Sequence, residues 1–258
     1  MSTTEVHVHR FGSDGAPPLV LVHGLTDDGT TWPDAVAEWG AGWDIHAVDQ
    51  RGHGLSARFT PDDVTFSHRL WVKDLRTVVA RTGQPSVVMG HSLGGLVALR
   101  LGIESPELVK ALVLEDPARP GDADGPDLEF VAEQQKFLSA FPAQEQAEVE
   151  RILRETSWSE AETRAWAASK ARVDPLMIER GLFLGDAEWE SLFQALTVPT
   201  LLVLPEDGGM GPDESRYRNP LVEQVKITGA GHCIRRDQPA AFYAAVDSFF
   251  SRQQDPHQ

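Results

Sequence analysis

The chain has 258 residues, of which 41% are hydrophobic and 24% are charged, proportions that are ordinary for a soluble globular protein. Its net charge of −16 argues against nucleic acid and anionic membrane surfaces as partners, and its apolar runs are too short to span a bilayer. A single cysteine excludes an intramolecular disulfide, and the first residues contain no apolar signal-peptide segment. We therefore expect a reducing, cytoplasmic location.

Short apolar runs alternate with amphipathic stretches along most of the chain. The runs predict strands at residues 6–8, 19–22, 44–48, 86–89, 112–114, 200–204 and 221–227. Apolar residues at helical spacing predict helices at residues 71–79, 96–103 and 240–250. This alternation predicts an α/β fold with a mostly parallel central sheet that helices cover on both faces.

The alternation stops between residues 117 and 196, where no strand is predicted. Helical patterns at 127–139, 144–155 and 159–172 fill this stretch, which is too long to be a simple connection between neighbouring strands. We interpret residues 117–196 as an inserted, all-helical cap, and residues 1–116 and 197–258 as the core domain. The polar, turn-rich segment 119–126 is the predicted hinge between them.

A candidate nucleophile lies where the fourth predicted strand meets a helix. Residues 90–94 read G-x-S-x-G, with Ser92 at the centre. A tight strand-to-helix turn requires small neighbours, and it projects the serine hydroxyl above the sheet at the positive end of a helix. The alternative is a serine that only caps the helix. The strand before it and the helix after it favour the nucleophile.

A serine hydroxyl needs a general base at neutral pH. His232 lies in the glycine-rich segment T-G-A-G-H-C, after the last predicted strand and before the closing helix. The other histidines fit this role less well, because they lie near the ends, on regular elements or inside other motifs. His91, for example, is in the strand-to-helix turn itself. We therefore predict His232 as the base.

These features, with two further motifs, make the chain resemble the α/β-hydrolase family over nearly all of its length outside the cap. His23-Gly24-Leu25 follows the second predicted strand, and the segment D-Q-R-G-H-G-L-S at 49–56 follows the third. The resemblance implies that the backbone N–H groups of Leu25 and Leu93 form the oxyanion hole. It also implies that segment 49–56 is structural, with Asp49 and Arg51 in buried polar contacts.

The carboxylate that should orient the histidine has two candidate locations. Many relatives place it in a strand-G-x-x-D pattern after the strand that precedes the histidine strand. Here Pro205 stands at the glycine position and Gly208 at the aspartate position, so Glu206 and Asp207 are close but out of register. They remain the alternative acids.

Other members of the family that the chain resembles place the acid at the end of the strand that follows the helix after the nucleophile. Asp116 lies there, at the carboxyl end of a parallel strand, where open α/β sheets bind ligands. Its neighbour Glu115 should point to the opposite face because side chains alternate along a strand. We predict Asp116 as the acid, with Glu115 as a less favoured third candidate.

The predicted chemistry is cleavage of a carboxylic ester or lactone through an acyl-enzyme, with no metal and no organic cofactor. Large apolar residues in the cap favour a small hydrophobic or aromatic substrate, and some of them should pack the cap on the core. Asp27 and Asp28 are expected to be solvated loop carboxylates. Candidate pocket residues are Trp32, Phe137, Trp158, Trp166, Phe183 and Trp189.

Three other functions are compatible with the same residues. A C–C bond hydrolase and a cofactor-free peroxide enzyme can use the same serine, histidine and aspartate. A ligand sensor on this fold would use the pocket with little turnover. Ser92 disfavours haloalkane dehalogenase and epoxide hydrolase chemistry, for which relatives carry aspartate at that position.

Overall fold

Seven strands form a single sheet in the computed structural model, which describes residues 5–121 and 127–254. The strand order is β1-β3-β2-β4-β5-β6-β7, with β1 antiparallel to β3 and every other neighbouring pair parallel. The strands are β1 Val8–Gly12, β2 Pro18–Val22, β3 Asp44–Val48, β4 Ser86–His91, β5 Val109–Glu115, β6 Thr200–Pro205 and β7 Val222–Ile227.

Helices connect the strands and also form the segment between β5 and β6. Short 3-10 turns lie at Val64–Phe66, Pro106–Leu108 and Lys170–Arg172. The helices are α1 Pro33–Trp39, α2 Ser67–Ala80, α3 Leu93–Glu104, α4 Leu128–Glu155, α5 Glu160–Ser169, α6 Pro175–Arg180, α7 Trp189–Gln194, α8 Ile234–Asp237 and α9 Pro239–Gln254.

The central strands are buried on both faces, which explains their continuous apolar runs. In β2, Val20 and Val22 pack in one apolar cluster with residues of α2 and α3. Leu19 and Leu21, which point the other way, pack in a second cluster with residues of α1 and α9. The predicted mostly parallel sheet with helices on both faces is therefore confirmed.

The edge strand β1 differs from its prediction, which was residues 6–8. It runs from Val8 to Gly12 and pairs along its whole length with β3, from Val8 opposite Val48 to Gly12 opposite Asp44. Arg10, in the middle of the strand, donates to the Asp44 carboxylate at 2.7 Å. A strand at the sheet edge carries polar residues that pair across the ladder, so apolarity alone misplaced it.

The predicted helices 127–139 and 144–155 are a single helix, α4, with Pro142 inside it. The prediction of a break was wrong because packing outweighs the hydrogen bond that a proline cannot donate. Phe141 and Val149, on either side of Pro142, are both buried against Ala167 of α5. Asp127 caps the start of α4 by accepting from the N–H groups of Glu129 and Phe130.

The remaining part of the cap segment consists of α5 to α7 and their connections. The helix predicted at 159–172 is α5, which ends at Ser169 and continues as the 3-10 turn Lys170–Arg172. Residues 122–126 of the predicted hinge lie outside the described residues. Within residues 5–121 and 127–254, no helix is both long and apolar enough to cross a membrane.

Candidate active site

Ser92 occupies a strained backbone position between β4 and α3. Its φ is 51° and its ψ is −117°, values that residues other than glycine rarely adopt. A Cβ on Gly90 would lie 2.3 Å from the Gly94 carbonyl oxygen, and a Cβ on Gly94 would lie 2.1 Å from the Val22 carbonyl oxygen. The two glycines of the G-x-S-x-G motif are thus required by backbone contacts.

Backbone hydrogen bonds tie Ser92 to the end of β5. Its N–H donates to the Glu115 carbonyl at 3.0 Å, and its carbonyl accepts from Ala118 N–H at 2.9 Å. Among the described residues, the Ser92 hydroxyl has no hydrogen-bond partner, and the side chain is partly exposed. The hydroxyl is therefore accessible at a position that the backbone fixes.

The loop that follows β2 lies directly beside Ser92. A Cβ on Gly24 would lie 2.8 Å from His91 Nδ1 and 3.3 Å from Ser92 Cβ, so the loop packs closely against the strand-to-helix turn. The next turn is tight, with Thr26 at φ 66° and Asp27 N–H donating to the Gly24 carbonyl at 3.2 Å. Within the described chain, the N–H groups of Leu25 and Leu93 make no hydrogen bond, which leaves both as available donors.

His232 and Asp116 are brought together at the same edge of the sheet. His232 Nδ1 lies 2.7 Å from Asp116 Oδ2. Asp116 directly follows β5 and is 1% exposed, while the His232 side chain is about half exposed. The Met210 N–H donates to Asp116 Oδ1 at 2.7 Å, so the two carboxylate oxygens have separate partners.

The alternative acids lie elsewhere. Glu206 and Asp207 are exposed in the loop after β6, and that loop contributes a backbone donor, Met210, rather than a carboxylate. Glu115 is buried and accepts from the Arg235 N–H at 2.7 Å. Burial raises the pKa of Glu115 even though Arg235 opposes the shift.

His91 is a neighbour of His232 that sequence reasoning did not identify. Its Nε2 donates to the His232 carbonyl at 3.1 Å, and the two rings are 4.8 Å apart. Burial lowers the pKa of His91 well below its usual value, and the nearby His232 and Arg236 add to this effect. A neutral His91 can therefore donate a hydrogen bond that holds the loop of His232 in place. The sequence did not indicate this role, because any residue type can occupy the position before the serine in G-x-S-x-G.

The predicted pocket residues fall into three places. Trp32 and Trp189 are buried in the core, where Trp32 lies against Arg235 and Trp189 Nε1 donates to the Met210 carbonyl at 3.0 Å. Phe183 lines a cavity of about 260 Å³ together with Phe66, and neither Ser92 nor His232 is part of its lining.

The other three pocket candidates form an aromatic cluster in the helical insertion between β5 and β6. Trp166 has ring-centroid distances of 6.0 Å to Trp158, 5.3 Å to Phe141 and 6.4 Å to Phe137. Trp158 Nε1 donates to Asp237 Oδ1 at 2.7 Å, and Asp237 ends the short helix that follows His232. The aromatic cluster is thus hydrogen-bonded to the segment that carries His232.

Asp27 and Asp28 are not solvated, contrary to the prediction. Asp27 is buried and contacts Lys170 at 2.7 Å and Arg236 at 2.8 Å, while Asp28 accepts from Arg172 Nε at 2.6 Å. Burial raises the pKa of Asp27, but the two cations outweigh it and hold the pKa below its usual range. The cations come from distant segments, so the local sequence gave no sign of burial.

Segment 49–56 has the buried polar contacts that were expected. Asp49 accepts from the N–H groups of Gly29 at 2.7 Å and Leu55 at 2.8 Å, and Arg51 pairs with Asp74 at 2.9 Å. Burial raises the pKa of Asp49, but the hydrogen bonds lower it further, to about 2.

The only group of three potential metal ligands among the described residues includes this aspartate, with His7 and His9. His9 Nε2 contacts Asp49 Oδ1 at 3.1 Å. Both Asp49 oxygens already accept backbone N–H groups, so the group is explained as a structural contact between β1 and the loop after β3.

Comparison with known proteins places the chain in a family. A family model for the "Alpha/beta hydrolase family" matches residues 19–246. Over 115 residues the chain is 36% identical to Lipase LipV of Mycobacterium tuberculosis, a match covering 44% of this chain and 42% of that protein. It is 27% identical to the pimeloyl-(acyl-carrier protein) methyl ester esterase of Vibrio parahaemolyticus, over 96% of this chain and 98% of that one.

A solved structure supports the fold over the whole length. The enol-lactonase from Burkholderia xenovorans LB400 aligns with a TM-score of 0.75 at 19% identity, covering 97% of this chain and 98% of that one. The relatives therefore include esterase- and lactonase-type hydrolases at low identity. Since the family model matches most of the chain, the protein belongs to the alpha/beta hydrolase family.

Proposed function

We propose that the protein is a serine hydrolase that cleaves a carboxylic ester or lactone of a hydrophobic small molecule. Ser92 is the nucleophile, His232 the general base and Asp116 the acid that orients it. The observation that carries the proposal is the contact of 2.7 Å between His232 and the buried Asp116, at the sheet edge where Ser92 is held in strained geometry.

The proposed reaction has two acyl-transfer steps. His232 takes the Ser92 proton as Ser92 Oγ bonds to the carbonyl carbon, and the Leu25 and Leu93 amides receive the negative oxygen. His232 then protonates the departing alkoxide. A water molecule, deprotonated by His232, attacks the acyl-enzyme, and Ser92 leaves with the proton as the carboxylic acid is released. Throughout both steps Asp116 accepts a hydrogen bond from the His232 Nδ1–H, and its negative charge stabilises the imidazolium.

The positions of the parallel strand ends support these roles. Leu25, Ser92, Asp116 and His232 follow β2, β4, β5 and β7 respectively, and all four strands run in the same direction. The Ser92 hydroxyl makes no hydrogen bond within the described chain, and bonds between nucleophile and base often tighten only when substrate binds.

Cys233 adjoins the base but is a poor rival nucleophile. Burial raises the pKa of its thiol to about 12, so very little thiolate exists at neutral pH. The serine is the better candidate because its side chain is partly exposed and because the nearby Leu25 and Leu93 amides make no hydrogen bond within the described chain.

The aromatic residues of the predicted cap favour an apolar substrate. The aromatic residues Phe137, Trp158 and Trp166 lie in one cluster that is joined to the histidine segment. Two of the named relatives are, by name, a methyl ester esterase and an enol-lactonase, and both activities cleave an acyl-oxygen bond. A hydrophobic ester or lactone is therefore the proposed substrate class.

The test compares wild type, Ser92→Ala and Ser251→Ala on p-nitrophenyl acetate and butyrate. Ser251 is an exposed serine on α9 and serves as the matched control. We expect Ser92→Ala to lose at least about 10³-fold in kcat and Ser251→Ala to equal wild type. A fluorophosphonate should form its adduct on Ser92.

Equal activity of wild type and Ser92→Ala, or an adduct on another residue, would contradict the proposal. A panel of esters and lactones with graded acyl and alcohol groups then defines the substrate class. Faster turnover of a vinylogous diketone than of every ester and lactone would replace acyl-oxygen cleavage by C–C cleavage on the same residues.

A further inference from the structure

Six charged side chains lie buried together behind the proposed active site. All are less than a tenth exposed, and three are acids and three are bases, so their formal charges cancel. We call this group the buried charge cluster. Its members are Asp27, Glu115, Glu162, Lys170, Arg235 and Arg236.

Glu162 lies at the centre of the buried charge cluster and belongs to the cap. It is in the first turn of α5 and is 0% exposed. One carboxylate oxygen contacts the guanidinium of Arg235, and the other accepts from Arg236 Nε at 2.9 Å. Burial raises the pKa of Glu162, but both arginines outweigh it and keep the pKa below its usual range, so the carboxylate is ionised.

The two arginines connect Glu162 to the segment that carries His232. α8 begins at Ile234, two residues after His232, and both arginines lie in it. The Arg235 N–H donates to Glu115 Oε1 at 2.7 Å, and Glu115 is the residue before Asp116. The position of the His232 loop relative to β5 is therefore fixed through Arg235.

The same cluster reaches the proposed oxyanion loop. Arg236 Nη2 donates to Asp27 Oδ2 at 2.8 Å, and Lys170 Nζ donates to Asp27 Oδ1 at 2.7 Å and to the Thr26 carbonyl at 3.1 Å. Thr26 and Asp27 are the two residues after Leu25. The cap thus contacts the oxyanion loop through Lys170 and the histidine loop through Glu162.

Buried charged groups contribute little net free energy of folding compared with apolar side chains of the same volume. Removing six charged groups from water costs free energy that their mutual attraction repays only when the geometry is good, and apolar packing of equal volume is often as stable. Charged hydrogen bonds do fix orientation strongly, because each carboxylate here joins two elements at defined angles. The arrangement is therefore better explained by positioning than by stability.

We propose that Glu162 is a positioning residue. Through it, helix α5 of the cap fixes the loop that carries His232 relative to the loop that carries Leu25. The inference rests on the proposed function, because His232 and the Leu25 amide act in that reaction. It makes the cap part of the catalytic framework as well as the cover of the pocket. Substrate entry must then occur without separating α5 from α8.

The main test compares Glu162→Gln with Glu160→Gln, the same change on the same helix. Glu160 is exposed and pairs with Arg164 at the surface, so its variant should equal wild type. Glu162→Gln should lower kcat about 100-fold, the loss typical of catalytic groups displaced by about 1 Å, with KM changed by less than about threefold. The rate of fluorophosphonate labelling should fall in proportion, while Glu162→Asp, which keeps the charge, should recover part of kcat.

A loss confined to KM, or wild-type kcat in a folded Glu162→Gln, would overturn the inference. Hydrogen exchange of wild type gives a second test that needs no variant. Amides of α5 should exchange as slowly as those of α3, and exchange as fast as in the exposed middle of α4 would also overturn it. If the wild-type protein hydrolyses no ester and is not labelled by the fluorophosphonate, the proposed function is wrong. If the wild-type protein is active and Glu162→Gln has the same kcat, only the positioning role of Glu162 is wrong.

Discussion

His232 Nδ1 lies 2.7 Å from Asp116 Oδ2, although 116 residues separate the two in the chain. The contact forms because β5 and β7 flank β6 in the same parallel sheet, so residues that follow them emerge at one edge. The Met210 N–H donates a hydrogen bond of 2.7 Å to the other carboxylate oxygen, Asp116 Oδ1. The carboxylate is thereby oriented on both sides and holds the imidazole in one tautomer.

Asp116→Asn should disable the enzyme without unfolding it. An amide cannot stabilise the imidazolium, and loss of the orienting carboxylate costs about 10⁴-fold in kcat in triads of this kind. Asp207→Asn is the matched control because Asp207 is exposed after β6. Steady-state kinetics on a p-nitrophenyl ester measures both. If Asp207→Asn is the crippled variant, the assignment of the acid is wrong.

Gly94→Ala should destabilise the protein by about 3 kcal/mol or more, since the new Cβ would lie 2.1 Å from the Val22 carbonyl oxygen. The nearest atoms all belong to the backbone of Val22 and His23, so there is no flexible side chain that could move aside. At Gly42 no atom lies within 4 Å of an added Cβ, so Gly42→Ala should stay within about 0.5 kcal/mol of wild type. Urea denaturation gives both free energies of unfolding. Similar values for the two variants would mean that the turn can relax.

The sheet and the strand-to-helix turn at Ser92 were predictable because their signals are local. A strand, a glycine-flanked serine and a helix follow one another within residues 86–104. Strand alternation separated Glu115 from Asp116, and in the structure the two side chains do contact different partners, Arg235 and His232.

The buried ion pairs were not predictable in this way. Asp27 and Lys170 are 143 residues apart, and Arg236 is 209 residues from Asp27. Read locally, two consecutive aspartates in a loop indicate solvated side chains. Only the packing of the helical insertion against the rest of the chain supplies the partners that make burial of these charges tolerable.

Pro142→Ala should stabilise the protein, by about 1 kcal/mol. Packing of Phe141 and Val149 already holds α4 continuous through the proline, so alanine restores a backbone donor without changing the helix. Pro33 lies in the first turn of α1, where a backbone N–H has no helical acceptor, so Pro33→Ala should gain nothing. Thermal unfolding of the two variants measures the difference. A lower melting temperature for Pro142→Ala would show that the proline sets a bend on which the packing depends.

The free energy of unfolding should fall steeply as the pH drops from 7 to 5. Burial lowers the pKa of the three buried histidines, His23, His53 and His91, and also that of the partly buried His68, so the folded protein binds protons at these rings less readily than the unfolded chain does. In the unfolded chain their pKa is about 6.5, and unfolding below that pH takes up protons. Each proton lowers the free energy of unfolding by about 1.4 kcal/mol per pH unit, so the three buried histidines give up to about 4 kcal/mol per pH unit.

His9 behaves in the opposite way and does not cancel this effect. Its hydrogen bond to Asp49 raises its pKa, so its contribution is fully present below about pH 6.5 and is lost as the pH rises through the raised value. Below pH 6 both folded and unfolded His9 are protonated, and it adds nothing to the slope. Urea denaturation at intervals of half a pH unit measures the slope. Replacing His53 by Gln should reduce the slope between pH 6 and 5 by about one proton, and an unchanged slope would mean that His53 is protonated in the folded protein.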